Sequence, residues 1–447
     1  MGTLGHHGCM KKYLLAMSLM LAAASAQAQV LPLREQAAVV NQLLAERFDT
    51  LLPDMMAQTG IDMWIVVSRE YNEDPVLKTM LPAEWLNARR RTVLLFYRDP
   101  ASGRVDRLAV ARYNVGKSIA AAWDMQKFPD QWQALVALIA QRKPNKIALD
   151  TSRHFGHADG IDHTDYTELL AALPAEYRAR VVSAEPLAVR WLETRTAREM
   201  QIYPQLIDAT HKIIAEGFSE RVITPGITTT ADVVWWFRQK IRDLGYDTWF
   251  HPSVEIQRPS QGAALADADV IVPGDLLHVD IGITYLRLNT DVQQHAYVLK
   301  PGESAAPPAL VQAFARANRV QDILTAQFRQ GRTGNQVLAA ALAQARAEGL
   351  NPTIYTHPIG YHGHAAGPAI GMWDMQDGVP GSGDEALRYR TAYSIELNAA
   401  TTLPGYAAPL RIMLEEDAYF DQAGVRYIGG RQKELHLVPR RAPNMEP

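Results

Sequence analysis

Residues 276–292 read Leu276-Leu277-His278-Val279-Asp280-Ile281-Gly282-Ile283-Thr284-Tyr285-Leu286-Arg287-Leu288-Asn289-Thr290-Asp291-Val292. The apolar and β-branched content of the first seven residues predicts a strand. Asp291 follows Asp280 by eleven residues across a turn, so one hairpin carries an aspartate in each arm. Pro273-Gly274-Asp275 and Pro301-Gly302 bracket that hairpin with turn residues. Either aspartate alone reads as a turn or cap residue. Burying both in one hairpin is costly unless something positive neutralises them.

Further along, His357-Pro358-Ile359-Gly360-Tyr361-His362-Gly363-His364 packs three histidines and two glycines into eight residues. Imidazole binds metals through a neutral nitrogen, and glycine lets backbone approach a ligand closely. Ser394-Ile395-Glu396-Leu397 then places a glutamate in an apolar strand, and Leu414-Glu415-Glu416-Asp417 places acids after the strand Leu410–Leu414. A lone strand glutamate reads as a solvated face residue. Four such carboxylates with a histidine cluster, in one domain, are harder to dismiss as solvated positions.

The order Asp, Asp, His, Glu, Glu resembles the pita-bread metallopeptidase family of methionine aminopeptidase, aminopeptidase P and prolidase. The resemblance covers about 190–440 and includes the eleven-residue aspartate gap and H-x-x-G-x-x-x-H at His357, Gly360 and His364. It implies an α+β pita-bread catalytic domain behind an α/β domain of the creatinase type. It also implies roles. Asp280 would chelate one metal and Asp291 bridge toward the second. His357 would give the nitrogen ligand, Glu396 bind on the histidine side, and Glu415 bridge both. His364 would sit over the substrate carbonyl. On the residues alone, His362 or His364 remains an alternative to His357, and Glu416 an alternative to Glu415.

Charge supports two ions. Four carboxylates carry −4, two divalent cations +4, and a bridging hydroxide leaves the site near −1. Oxygen ligands with one imidazole and no thiolate favour Mn first, with Co or Zn as alternatives. The resemblance implies amide hydrolysis by that hydroxide, with Glu396 as proton shuttle and His364 stabilising the oxyanion.

Three features depart from the family. The catalytic histidine expected seventeen or eighteen residues before the first aspartate is absent from Ser260-Gln261-Gly262-Ala263-Ala264, and the nearest upstream is His251. The usual Asp-x-Thr-Arg-Thr is Asp291-Val292-Gln293-Gln294-His295. On a period-2 strand Gln293 and His295 share the face of Asp291, so His295 is a candidate substitute for the absent catalytic histidine, against the alternative of a surface histidine. The acid that follows the catalytic histidine in many relatives is replaced by Ala365-Ala366-Gly367-Pro368. All three changes lie around the substrate rather than the metals.

Outward from this core, Thr196-Ala197-Arg198-Glu199 is a capping box opening a helix, and helices are expected over Thr228–Leu244 and within 308–349. Toward the N-terminus, a helix is expected over 33–58. Short apolar runs at Met63–Val67, Val93–Tyr97, Leu108–Ala111 and Ile147–Leu149 alternate with helical stretches such as Gln131–Gln141. That alternation argues an α/β unit. Met10-Lys11-Lys12, the apolar run to Ala24 and Ala26-Gln27-Ala28 read as a secretory leader cleaved near Ala28. The expected divisions are 1–28 leader, 30–188 creatinase-type domain and 190–447 catalytic domain.

The 447 residues are 47% hydrophobic and 21% charged, with net charge −3 and one cysteine, Cys9. The composition excludes a disordered chain. No basic stripe suggests nucleic-acid binding. A single cysteine excludes an intramolecular disulfide and a thiolate metal cluster. After the leader, no run has the ~20 apolar residues of a membrane span. The expectation is a periplasmic or secreted metallohydrolase acting on a small peptide or amide. The resemblance implies a homodimer or higher oligomer. Alternatives are a C–N, ester or phosphoester hydrolase on the same metals, and a non-catalytic or metal-free creatinase-like relative.

Overall fold

In a computed structural model, which describes residues 30–259 and 269–439, the first helix runs Leu33–Glu46, passes a π-turn at Arg47–Leu51 and continues as Leu52–Thr59. The leader expected over 1–28 and the segment 260–264 lie outside the described residues.

The first unit is built on a six-stranded sheet: β1 Met63–Arg69, β2 Arg91–Arg98, β3 Val105–Ala109, β4 Ala120–Ala121, β5 Ile147–Leu149 and β6 Val181–Ser183, in the order β4-β3-β2-β1-β5-β6. The sheet is mixed. β1, β2 and β3 are an antiparallel meander, while β5 pairs parallel to β1 and β6. β1 is buried on both faces, which explains why Met63–Val67 reads as a continuous apolar run rather than an alternation. Helix Glu185–Glu193 packs into this unit's core through Leu187, Ala188, Trp191 and Leu192.

The capping box is present: Thr196 Oγ1 accepts from the Glu199 N–H at 3.1 Å, and Glu199 Oε2 accepts from the Thr196 N–H at 2.8 Å. It opens helix Ala197–Gly217. The next helix, Thr230–Asp243, starts two residues later than expected because Thr229 caps it with Asp232 in a second box. Helices Pro308–Thr325 and Gly334–Ala347 form the later pair.

These helices cover a nine-stranded sheet. Its strands are β7 Ser253–Gln257, β8 Leu276–Ile281, β11 Val292–Val298, β12 Pro352–Ile354, β13 His357–Ile359, β14 Thr391–Thr401, β15 Leu410–Asp421, β16 Gly424–Tyr427 and β17 His436–Val438. The main path is β12-β14-β15-β11-β8-β7, with β13 on β14, β16 on β15 and β17 on β11. Between β8 and β11 stands a small hairpin, β9 Thr284–Tyr285 and β10 Leu288–Asn289. Its turn residues Leu286 and Arg287 both have positive φ, 52° and 68°, as a two-residue hairpin of this hand requires. Arg287 donates to the carbonyls of Leu81 (2.7 Å) and Pro82 (3.2 Å) in the first unit, which holds that strained turn in place.

Candidate metal centre

The strand register assembles the site. Asp280 of β8 lies opposite Gln293 of β11, Gln293 opposite Glu415 of β15, and Glu415 opposite Glu396 of β14. One row across four strands therefore reads Asp280, Gln293, Glu415, Glu396. Two residues along, on the same face, stand Asp291, Asp417, Ser394 and His357, with Ser394 paired to both Asp417 and His357. Residues far apart in the chain meet because period 2 puts both rows on one face.

The ligating atoms converge accordingly. Three overlapping groups each hold their atoms within 4.8 Å of one another: Asp280, Asp291 and Glu415; His357, Glu396 and Glu415; Asp291, His357 and His364. His357 Nε2 lies 3.7 Å from Asp291 Oδ2 and 3.6 Å from Glu415 Oε1. Its Nδ1 faces the Pro358 carbonyl at 3.0 Å, which leaves the Nε2 lone pair for the cluster.

The supporting shell is polar and ordered. Gln293 Nε2 donates to Glu396 Oε1 at 2.9 Å and Glu415 Oε2 at 2.7 Å, while its Oε1 faces His278 Nε2 at 2.9 Å. Ser394 Oγ donates to Glu415 Oε1 at 2.6 Å, and Asp417 Oδ2 accepts from the Asp291 N–H at 3.2 Å. Gln293 shares the face of Asp291 by strand alternation, but nothing in the sequence marks its role. Ser394 and Asp417 carried the same signal, an even spacing from Glu396 and Glu415.

The residues present fit a divalent cation. Burial, then the charges of neighbouring carboxylates, pushes Asp280, Asp291 and Glu396 well above the ordinary acid range. Two carboxylates 4 Å apart repel by about 4 kcal/mol at an effective dielectric near 20. Among the described residues no lysine or arginine forms an ion pair with these four acids. Buried Asp280 Oδ1 and His357 Nε2 have no hydrogen-bond partner. Both are lone-pair atoms aimed where a cation would satisfy them.

Of the alternatives the sequence leaves open, Glu416 and His362 stand apart from the cluster, whereas His364 stays within reach of it. Glu416 points to the opposite face, where it meets His211 Nε2 at 2.6 Å and accepts from Gln294 at 2.8 Å. His362 stacks instead on His157 of the first unit, ring centroids 4.3 Å apart. His364 is exposed above the cluster, 4.7 Å from the His357 ring and 5.1 Å from Trp249. Desolvation of the ring by the residues packed against it, then the neighbouring His357, push its pKa down to about 4, so its imidazole is neutral at pH 7. Trp249 donates to the Thr290 carbonyl at 2.9 Å, and a Cβ on Gly363 would come within 2.2 Å of its ring. A Cβ on Gly360 would likewise meet Arg195 at 2.7 Å, so both glycines of the motif are demanded by close approach.

His295 is a correction. It is fully buried, its Nδ1 faces the Leu277 carbonyl at 2.9 Å, and its Nε2 accepts from the Met413 N–H at 3.0 Å. Both nitrogens are spoken for by backbone, so it is a core histidine with no atom left for substrate. His295 shares the face of Asp291, as alternation requires, but lies two residues deeper along β11 than Gln293.

Residues 205–426 match the model of metallopeptidase family M24. The fold is similar to X-Pro aminopeptidase from Thermotoga maritima MSB8, at TM-score 0.61 and 16% identity, over 86% of this chain and 100% of that one. Xaa-Pro dipeptidase from Bacillus anthracis is similar at TM-score 0.55 and 17% identity, over 90% of this chain and 99% of that one. Dipeptidase PepE from Mycobacterium ulcerans is similar at TM-score 0.57 and 20% identity, over 90% and 99%. No curated protein sequence matches the chain.

Proposed function

We propose that this protein, whose residues 205–426 match the model of metallopeptidase family M24, is an exported peptidase using two divalent ions, manganese first among them. It would cleave an amide at the N-terminus of a peptide or in a proline-containing dipeptide. The carrying observation is the convergence of two buried and two half-buried carboxylates with His357, without a fixed cation. The names of the similar structures, an X-Pro aminopeptidase and an Xaa-Pro dipeptidase, support the bond type.

Asp280, Asp291, His357, Glu396 and Glu415 would hold the ions, which when bound acidify a water and polarise the scissile carbonyl. Gln293 holds Glu396 through Oε1, so that the carboxylate would stand ready to take a proton from the attacking water and pass it to the leaving nitrogen. Neutral His364, on the open side, donates to the carbonyl oxygen as negative charge develops there. Gln293 and Ser394 fix the Glu415 carboxylate so that neither oxygen rotates away.

Purified manganese-loaded protein offered Xaa-Pro dipeptides, longer peptides with proline second, esters and phosphoesters should hydrolyse the peptides. Hydrolysis of esters or phosphoesters alone would favour the second reading, a non-peptide hydrolase. That reading draws on the loss of His295 as a substrate-facing imidazole. His364→Ala should retain metal and slow peptide turnover by roughly 10²-fold; an unchanged rate would remove its role. Export predicts a mature N-terminus near Gln29, read by terminal sequencing, in a periplasmic or secreted fraction. A homodimer or larger assembly is checked by light scattering.

A further inference from the structure

The first unit carries a concentration of positive charge that the peptidase reading does not use. At the end of its sheet where β1 finishes, β2 begins and the chain leaves β3, five arginines line one concavity of about 390 Å3: Arg69, Arg89, Arg90, Arg91 and Arg112. Tyr113, Trp123 and Gln131 complete the polar and aromatic wall, and no carboxylate lines it.

The five divide into two layers. Arg69 and Arg91 are anchored from beneath. Buried Asp165 accepts from Arg69 at 2.8 and 3.0 Å and from Arg91 at 3.2 Å, and Glu168 takes Arg91 at 3.0 Å. Gln131 Oε1 adds a bond from Arg91 Nε at 2.8 Å. These two guanidiniums are thus charge-balanced and fixed. The other three are not balanced. Among the described residues, Arg89, Arg90 and Arg112 have no carboxylate in ion-pair range. Arg89 lies over the rings of Trp85 (4.4 Å) and Tyr113 (5.7 Å), which orient it without neutralising it. Arg90 is presented by a backbone in the left-handed region, φ 54°, stapled by its N–H to Glu70 Oε2 at 3.1 Å and by the Glu70 N–H to its carbonyl.

We infer that this concavity is a binding site for a small, densely charged phosphate compound, separate from the metal centre. Three uncompensated guanidiniums in a chain of net charge −3 concentrate potential that a single carboxylate would not balance. A phosphate monoester carries about −1.5 to −2 at pH 7, a pyrophosphate group more, and the planar guanidinium fork matches such oxygens in pairs. The volume lies at the small end of the range for ligand pockets, about 300–1,000 Å3. It suits a small molecule better than a macromolecular surface.

The test is calorimetric titration of the full chain with pyrophosphate and with phenyl phosphate, in chelator so that no metal competes, at low and moderate salt. Both probes should bind, more weakly as salt rises. Arg90→Gly suits the positive φ while removing one guanidinium, and Arg112→Ala removes an exposed one; each should weaken binding about tenfold and the pair about a hundredfold, with unfolding temperature unchanged. No binding at millimolar probe, or binding that both variants retain, would overturn the site. Binding abolished by Asp291→Ala but not by the arginine variants would place the anion at the metal centre and overturn it equally.

Discussion

Glu199 and Asp291 are buried alike, at 0% and 3% exposure, yet their surroundings answer that burial in opposite ways. Around Glu199, Arg47 donates at 3.1 Å, Arg195 stands 3.7 Å away and the Tyr361 hydroxyl donates at 2.7 Å. Burial pushes the Glu199 carboxyl upward, but the two guanidiniums outweigh it and the group stays below its ordinary range. Around Asp291 the neighbours are Glu415, Asp280 and Glu396, and every one adds to the upward push of burial. The first cluster is closed by cations of the chain itself: Arg47 comes from the first unit and ties it to the loop carrying Tyr361. The second leaves its charge for an ion from outside. Where the chain supplies the cation the cluster is architecture; where it withholds one the cluster fits the metal proposed above.

The most severe way to break that contrast is to remove the ion or its ligands. Glu415→Ala or Asp291→Ala should abolish stoichiometric metal in elemental analysis and cut turnover by roughly 10³-fold, the upper end for losing one electrostatic contact in an active site. Metal held at a thousand times its Kd would contribute about 4 kcal/mol to stability by mass action. Calorimetric unfolding in chelator should therefore show a clearly lower Tm. Identical Tm with and without chelator, together with unchanged metal content in both variants, would erase the distinction.

Glu199→Gln attacks the other side. It leaves Arg47 and Arg195 buried with no carboxylate between them, a change that costs about 3–5 kcal/mol when a buried pair is broken. Metal content should hold, because no ligand is touched. Denaturant unfolding within 1 kcal/mol of the parent would mean that the Trp191, Leu192 and Thr194 carbonyls suffice to balance the arginines.

The contrast was partly legible in the sequence. Eleven-residue aspartate spacing and H-x-x-G-x-x-x-H marked the residues that meet, since strand alternation makes spacing a statement about faces. The capping box was equally legible, because Thr196 and Glu199 close it locally. What did not show was depth. His295 obeys the same parity as Asp291, but only the pairing of β11 against β8 and β15 tells how far along the strand the open face ends. Nor did local patterning reveal Arg47: a cation in a helix reads as solvated until the π-turn and the Trp191 carbonyl place it inside.

A third answer to buried acid sharpens the comparison with the smallest effect. Asp74 and Asp150 are both fully buried in the first unit with no arginine or metal-ligand histidine against them. Asp74 Oδ1 accepts from the Leu77 N–H at 2.9 Å, and Asp150 Oδ1 accepts from Trp64 Nε1 at 2.6 Å. Each Oδ2 is left without an N–H or O–H partner unless one carboxyl keeps its proton and donates it to the other. Burial raises Asp74 to about 6, and burial with the charge of Asp74 raises Asp150 well above its ordinary range. Both acids thus bind protons more tightly folded than unfolded, so the stability they carry is complete below about pH 4, the unfolded value, and is lost as pH climbs through the folded one. Asp150→Asn keeps a donor toward Asp74 and removes the second acid. Relative to the parent, its stability should rise between about pH 5 and pH 8, because one acid whose pKa is raised on folding no longer has to ionise there. Guanidinium unfolding of both proteins at the two pH values measures this difference directly, and every other acid cancels from it. A variant destabilised equally at pH 5 and pH 8 would show that the pair shares no proton, and that this unit tolerates buried charge by some means other than the two seen at Glu199 and Asp291.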